Sequence, residues 1–561
     1  MDEILRLPKL ALNMTEGTVL KWLKQEGDLV AKGDPLVEVG TGKVNVQVEA
    51  PVSGRLVKII VSAQSKMPVG EELAVIKLEE VCADGEEMGQ MYDAALGRQE
   101  FDVVVIGGGP GGYVAAIRAS QLGGRVALVE KDKLGGVCLN RGCIPTKTLI
   151  KSAGLFDSFR YAGEFGLKVQ EPAADLVKIM ERKKQVVEQL GGGIAQLLKA
   201  NCVTLLRGAG NIEGRGRVKV TGQCDEIVLQ AKNIIIATGS RPARVPIPGA
   251  DLDDVLNSDE ILDMDSLPGS LIIIGGGVIG VEMAWIFSAL GAKVSIIELQ
   301  QRILPPVDEE IALQITEILR EKGTGIYTGT GVRKISKVEG GGLYVEAAGA
   351  DDGEKIFYGE KVLISTGRTL NTEGLNLEGA GIVTWKGAIK VDGRMMTSVQ
   401  GVYAVGDVTG GMLLAHVASA QGMVAAENAM GRPGEMDYSS VPCAIFTSPE
   451  IGTVGLTEQQ AIEKGYRVKV SRFPFAASGK ALAMGATEGQ LKLICDEAGG
   501  KILGAHILGP HATDLIAVLA VSMQNGLTAG QIARTIFAHP TTAEVIAEAA
   551  HGIIGKAIHL P

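Results

Sequence analysis

The sequence predicts a multidomain protein in which a small all-β unit precedes α/β units built on parallel sheets, and three observations predict it. At 561 residues the chain far exceeds the size at which a single hydrophobic core stops growing, so three or four packed units are expected. Up to about residue 79 it consists of short apolar runs separated by Gly, Asp and Pro, such as Glu16-Gly17-Thr18-Val19-Leu20 and Lys32-Gly33-Asp34-Pro35-Leu36-Val37-Glu38-Val39. From Phe101 onward, apolar strands feed Gly-rich turns and then amphipathic helices, the alternation that builds parallel sheets. Between these two patterns, periodicity is lost among Asp84-Gly85-Glu86-Glu87 and Gly89-Gln90, and residues 80–100 read as a linker.

Composition narrows the function. Hydrophobic residues make up 46% and charged residues 21%, ordinary for a chain with ample apolar material to bury. A net charge of -10 without a compact basic run repels phosphate backbones and anionic lipid, so neither nucleic acid nor a membrane surface is an expected partner. Met1-Asp2-Glu3-Ile4-Leu5-Arg6 lacks the basic and apolar regions of a secretion signal, which predicts a cytoplasmic protein. The apolar stretch Leu271 to Ile297 holds Glu282, Lys293 and five glycines, and fits strand, turn and helix better than a membrane span. Seven cysteines with one close pair do not make a disulfide framework, which leaves that pair to be explained.

The α/β part repeats itself. Asp102-Val103-Val104-Val105-Ile106-Gly107-Gly108-Gly109-Pro110-Gly111-Gly112 is echoed by Ser270-Leu271-Ile272-Ile273-Ile274-Gly275-Gly276-Gly277-Val278-Ile279-Gly280. Each copy is followed by a basic residue, an apolar strand and a Glu, Arg125 to Glu130 and Lys293 to Glu298. In each, the first Gly (Gly107, Gly275) permits a tight turn and the second (Gly109, Gly277) lets the backbone approach a pyrophosphate. The third (Gly112, Gly280) allows close helix packing. Glu130 and Glu298 end the next strand, where a carboxylate accepts ribose hydroxyls. Two Rossmann-like units imply two nucleotide cofactors, and a carboxylate at Glu298 repels a 2′-phosphate, favouring NAD over NADP at the second, with Arg302 nearby as the contrary signal.

Directly after the first unit stands Gly135-Gly136-Val137-Cys138-Leu139-Asn140-Arg141-Gly142-Cys143-Ile144-Pro145-Thr146-Lys147. A distorted helical turn can bring two thiols with four residues between them within bonding distance, and a strained or exposed disulfide is the readily reduced kind. Two buried free cysteines are the default for a random pair; beside a nucleotide site in a reducing compartment a catalytic pair is the better reading. Cys82, Cys202, Cys224, Cys443 and Cys495 have no partner in sequence and are expected to be packing residues.

The segment Cys138 to Lys147 resembles the active-site signature of the pyridine nucleotide-disulfide oxidoreductases, and in its details the dihydrolipoamide dehydrogenase branch; the resemblance covers residues 101–561. It implies that Gly107, Gly109, Gly112 and Glu130 bind FAD, that Lys147 pairs with Glu282 beside the flavin, and that Gly210, Asp407 and Ala415 make further FAD contacts. It implies NAD at Gly275, Gly277, Gly280 and Glu298, helped by Val332 and Gly367. The implied domains are 101–247 with 372–440 for FAD, 248–371 for NAD, and an α+β dimerisation domain at 441–561. In His539-Pro540-Thr541-Thr542-Ala543-Glu544, a His held by a carboxylate is a candidate base near neutral pH. In the family this motif serves the partner subunit's disulfide, which implies a homodimer. Cys138 would be the interchange thiol and Cys143 the thiolate facing the flavin.

Leu7-Pro8-Lys9-Leu10, Met14-Thr15-Glu16-Gly17 and Trp22-Leu23-Lys24-Gln25-Glu26-Gly27-Asp28 resemble the lipoyl domains of 2-oxo acid dehydrogenase acyltransferases, which implies a small β barrel or sandwich. The lipoylated lysine of that family falls on Lys43, at a turn where glycines tolerate positive φ. The chain departs from the family in having Gly40 and Gly42 where an acidic residue and Asp usually precede the lysine. The implied activity is oxidation of protein-bound dihydrolipoamide with reduction of NAD. The implied setting is a 2-oxo acid or acetoin dehydrogenase complex or glycine cleavage, with acyltransferase lipoyl domains as partners. Glutathione and mercuric reductases are the enzyme rivals. Glu298 disfavours the NADPH of the first, and the second carries a C-terminal cysteine pair that this chain lacks. A docking protein with a silent flavoprotein part is the rival from another class.

Overall fold

The computed structural model describes residues 2–8, 14, 16–30, 33–40, 45–52, 54–77, 100–222, 225–349 and 353–561. They form two compact units, the first within residues 1–99 and the second within Glu100–Val203 and Arg207–Pro561.

In the first unit, alternating side chains build two four-stranded sheets. One has the order Asp2–Arg6, Glu72–Lys77, Gly54–Ile59, Leu29–Val30; the other runs Asn45–Glu49, Pro35–Gly40, Glu16–Trp22, Lys66–Pro68. Val19, Leu36, Val37, Val39, Leu56, Leu73 and Ile76 are fully buried and make one core, so the unit is a β sandwich. Trp22 reaches its rim and donates its indole N–H to the Val61 carbonyl at 2.8 Å. Pro35–Gly40 and Asn45–Glu49 pair antiparallel with Gly40 opposite Asn45; Lys43 lies outside the described residues, as do Cys82 and Cys224.

The second unit contains the repeated α/β pattern twice. In the first copy Val126–Glu130, Glu100–Ile106 and the far half of Glu226–Ile236 run parallel, and the near half of Glu226–Ile236 pairs antiparallel with Arg217–Thr221, which pairs with Ala209–Gly214. The parallel part is closed by Val402–Ala404, which lies alongside Ile234–Ile236 although a whole second copy intervenes in sequence. That second copy has five parallel strands in the order Val255–Leu256, Lys361–Ile364, Ser270–Ile274, Lys293–Ile297, Gly325–Tyr327, with a three-stranded antiparallel sheet from Thr330–Lys337, Leu343–Gly349 and Glu354–Gly359. Both faces of the parallel strands are covered, which is why Val126–Glu130 is buried at every position and reads as a continuous run instead of alternating. The same burial explains Leu271 to Ile297: strand Ser270–Ile274, helix Val278–Ala289 and strand Lys293–Ile297 are interior on nearly all sides. Among the described residues no helix is long and apolar enough to cross a membrane.

The rest of the chain forms an α+β layer. Its antiparallel sheet has the order Pro442–Ile445, Glu450–Gly455, Ile502–Gly509, Gln490–Asp496, Val468–Pro474, and the helices Ala512–Gln524, Ala529–Ala533 and Glu544–Ile554 pack on it through Leu519, Ile532, Val545 and Ile546.

Helix Pro110–Gln121 packs closely on helix Ala415–Ala429 because each contributes a buried glycine to the crossing. A Cβ added at Gly422 would stand 2.3 Å from the Gly111 carbonyl oxygen. Gly422→Val is expected to destabilise the second unit by about 3 kcal/mol, the upper end for overpacking, read as a lower urea midpoint for loss of the near-ultraviolet signal.

Candidate active site

The two glycine turns open into one cleft of about 1580 Å³, well above the size of a pocket for one small ligand. They are near copies. Gly107 and Gly275 have φ of 106° and 110°, in the left-handed half of the map that glycine alone occupies freely. A Cβ at Gly112 would stand 1.8 Å from the Gly107 carbonyl oxygen, and one at Gly280 2.0 Å from that of Gly275, so each third glycine lets its helix close on its turn. The middle glycines differ in kind: an added Cβ at Gly277 meets nothing within 4 Å, and at Gly109 only the Gly136 Cα at 3.8 Å. Both border the cleft, where the missing side chain leaves room for a ligand's phosphates. Neither helix has an acidic residue in its first turn or a side-chain cap, so both present bare N–H groups and a positive dipole end to the cleft.

The two acidic residues are held alike. Glu130 accepts the Gly108 N–H at 2.6 Å and the Asp132 N–H at 2.7 Å; Glu298 accepts those of Gly276 at 2.5 Å and Gln300 at 2.7 Å. Both line the cleft and retain lone pairs for ribose hydroxyls. Arg302 is turned elsewhere, donating to the Val307 and Pro305 carbonyls at 2.8 Å each.

Cys138 and Cys143 stand where a helix breaks. Gly136–Arg141 ends at Gly142, whose φ of -149° and ψ of -112° leave the helical region, and Cys143–Ser158 begins at once. Both thiols are free and stand close enough across the break to perturb each other. The two sulfurs are inequivalent. The Cys143 side chain and burial push the Cys138 thiol up, whereas the Cys138 side chain, helped by the Lys147 ammonium, brings Cys143 down to about 7. One proton is thus kept on Cys138 and the thiolate forms on Cys143. Lys147, one turn further along the helix, places Nζ 2.9 Å from both oxygens of the buried Glu282, which also accepts the Phe446 N–H at 3.0 Å. The Phe446 ring lies under the ammonium, 4.5 Å from its centroid.

Gly210, Asp407, Ala415, Val332 and Gly367 all border the same cleft. Asp407 is held by the Ser240 hydroxyl at 2.5 Å, and Ser240 in turn accepts from the Arg368 guanidinium at 2.7 Å. Ala415 opens a third uncapped helix that begins at the cleft wall. Sequence reasoning missed Ser240, Phe446 and Cys443; none carries a local motif, and the last two come from the segment expected to be wholly an interface. Three of the lone cysteines divide: Cys495 is buried in the C-terminal core, Cys443 is half-buried in the cleft wall, and Cys202 is exposed at a φ of 53°, which corrects its reading as a packing residue.

His539 and Glu544 are paired, Nδ1 to Oε1 at 2.9 Å, and Glu544 also accepts the Thr541 N–H at 2.9 Å. Burial pushes the Glu544 carboxyl up, but the hydrogen bonds from His539 and Thr541 outweigh it and hold it below the usual range. The carboxylate fixes the ring with Nε2 outward, and the side chain of His539 is 79% exposed. This pair does not line the cleft of its own chain.

Residues 101–422 match the family model described as pyridine nucleotide-disulphide oxidoreductase, 441–550 its dimerisation domain, and 3–76 the model described as biotin-requiring enzyme. A dihydrolipoyl dehydrogenase of Bacillus subtilis is 42% identical over 82% of this chain and 99% of its own length, and one of Halobacterium salinarum is 42% identical over 82% and 97%. Among solved structures, LpdA of Mycobacterium tuberculosis superimposes with a TM-score of 0.75 at 29% identity, covering 80% of this chain and 99% of that one. The flavoprotein disulfide reductase RclA of Escherichia coli does so at 0.72 and 31%, with the same coverage.

The inequivalent thiols give a titration. In the reduced protein one thiolate is expected to ionise with a midpoint near pH 7, absent below it and present above it, followed by ultraviolet thiolate absorbance. Cys143→Ser should abolish that step, and Lys147→Met should move it to higher pH by removing the nearby cation.

Proposed function

This chain belongs to the pyridine nucleotide-disulphide oxidoreductase family, and on that premise we propose that it is a dihydrolipoyl dehydrogenase using FAD and NAD. Protein-bound dihydrolipoamide is the dithiol substrate and Cys138–Cys143 the disulfide that oxidises it. The observation that carries the reading is the cysteine pair opening onto the cleft shared by two glycine turns.

The residues divide the work. His539, oriented by Glu544, takes a proton from the dithiol, because only a thiolate attacks a disulfide sulfur. That thiolate attacks Cys138 and expels Cys143 as a thiolate. The second substrate thiol then displaces Cys138, so the substrate leaves as disulfide and the pair is left as dithiol. The low value of Cys143 supports its part as the leaving group, and the high one of Cys138 its keeping the proton. Bound FAD supplies a two-electron carrier between this pair and the nicotinamide. Lys147, fixed by Glu282, puts a positive charge at that end of the cleft. Gly107, Gly109, Gly112, Glu130, Gly210, Asp407 and Ala415 are the proposed FAD contacts, and Gly275, Gly277, Gly280, Glu298, Val332 and Gly367 those of NAD. NAD is favoured over NADP because Glu298 offers a carboxylate that repels a 2′-phosphate, and Arg302 is turned to the Val307 and Pro305 carbonyls.

The match to a dimerisation model and the exposed His539 support a homodimer in which each chain supplies its base to the other's disulfide. The proposed setting is cytoplasmic, in a 2-oxo acid or acetoin dehydrogenase complex or glycine cleavage, whose acyltransferase or carrier lipoyl domains are the partners. The proposed domains are 101–247 with 372–440 for FAD, 248–371 for NAD and 441–561 for the dimer interface. Lys43 is the proposed lipoyl site, and the covalent link would raise the local concentration of its reduced arm.

Anaerobic reduction of NAD by free dihydrolipoamide on the purified protein tests the activity. Turnover with that pair, and little with NADP or glutathione, is expected; silence there alongside turnover with glutathione or NADP would move the protein to a sister reductase. Cys138→Ser is expected to abolish turnover and keep the flavin. His539→Gln should lower kcat by about 10²- to 10⁴-fold. Subunit exchange between these two inactive variants should restore activity, since mixed dimers hold one intact site; no restoration would sink the shared-site arrangement. Intact mass of the native protein should show a lipoyl adduct, and an unmodified chain would refute the assignment to Lys43.

A further inference from the structure

Lys492 is a charged group the chemistry above does not use, and it is buried. Its side chain is 4% exposed, in strand Gln490–Asp496 of the C-terminal sheet. Nζ lies 2.9 Å from Asp308, 2.8 Å from Glu458 and 3.2 Å from Glu310. Arg472 adds a second cation, 2.8 Å from Glu310 and 3.4 Å from Glu458. Two cations therefore face three carboxylates, and Lys492 alone reaches Asp308, which is 3% exposed.

Asp308 caps the helix Glu309–Glu321, and the loop before it runs along the cleft, with Pro305 and Pro306 in its wall. This loop is tied to the second glycine turn: the Leu304 N–H donates to the Gly276 carbonyl at 2.8 Å, and the Gly276 N–H binds Glu298. Leu304 is fully buried with φ of 49°, a backbone conformation that L side chains rarely adopt and that persists only where its surroundings hold it. One end of the strained loop is thus pinned at the glycine turn and the other by a buried ion pair to a different layer of the protein.

We propose that Lys492, through its ion pair with Asp308, is a positioning residue for the second dinucleotide: it holds the Arg302–Val307 loop against the Gly275–Gly280 turn. Without Lys492, Asp308 keeps the Glu310 and Glu458 N–H groups at 3.2 and 3.3 Å but is a buried carboxylate lacking its cation, and it compensates by moving or by taking up a proton. Either loosens the cap, then the loop, then the turn that binds Glu298. The cysteine helix meets the helix Val278–Ala289 through Lys147 and Glu282, beyond the glycine turn itself, and the first glycine turn is not among these contacts. The inference rests on the second turn being the NAD site.

The test is steady-state and half-reaction kinetics on the full-length flavoprotein carrying Lys492→Met. A several-fold rise in KM for NAD is expected, with flavin content and the anaerobic reduction of the enzyme by dihydrolipoamide unchanged. An unchanged KM for NAD, or an equal loss in both reactions, overturns the proposal. Should Lys492→Met not fold, Asp308→Asn keeps the cap acceptor and removes the charge, and the same two outcomes decide. Gly277→Val separates the underlying reading, because its added side chain enters the open cleft: if KM for NAD does not move there, the second turn is not the NAD site, whatever Lys492 does.

Discussion

A carboxylate out of water is the constraint around which the catalytic cleft is arranged. Glu282 lies in the helix of the second glycine turn, where desolvating its charge costs on the order of several kcal/mol unless partners replace the lost water. Its partners come from two other parts of the chain, the Lys147 ammonium from the helix begun by Cys143 and the Phe446 amide from just beyond the strand Pro442–Ile445. Satisfying one charge therefore fixes the cysteine pair, the second turn and the C-terminal sheet against each other. The ammonium is positioned in the same act.

The two halves of the cleft show how little chemistry a dinucleotide site needs when backbone geometry supplies it. Both turns leave the helix N-terminus bare, both exclude a side chain where phosphate must approach, and both pin a carboxylate with two amide hydrogens. What differs is context: the first turn faces Gly136 and the cysteine helix, the second faces Leu304 and its strained loop. Likeness of local sequence gives likeness of binding; the neighbours differ because they come from elsewhere in the chain.

That division also sets what the sequence made legible. The glycine turns, their following acids and the Cys138–Cys143 pair are local patterns, and local patterns survive in a one-dimensional string. The pairing of Lys147 with Glu282 came from likeness to known proteins, because residues 135 apart carry no shared period. Phe446, the Ser240–Arg368–Asp407 contacts and the Lys492 cluster were invisible for the same reason: each joins segments that meet only after folding. The exposure of Cys202 was hidden too, since a thiol in sequence looks alike inside and outside. The all-β character of the N-terminal unit was legible in its short apolar runs broken by Gly, Asp and Pro, whereas its sandwich form and Lys43 were expected from resemblance.

The strand Val402–Ala404 carries a consequence for how the protein is made. It completes a parallel sheet begun by Glu100–Ile106, and between its neighbour Glu226–Ile236 and Val402–Ala404 a whole five-stranded sheet is inserted. As the chain leaves the ribosome, the edge of Glu226–Ile236 has no neighbour on that side until residue 404 has emerged, while the inserted sheet already holds all its own strands once Ile364 is out. The later copy thus has all its strands before the earlier one does, and the apolar edge of Glu226–Ile236 waits for its last neighbour, an edge open to pairing with other chains in the interval.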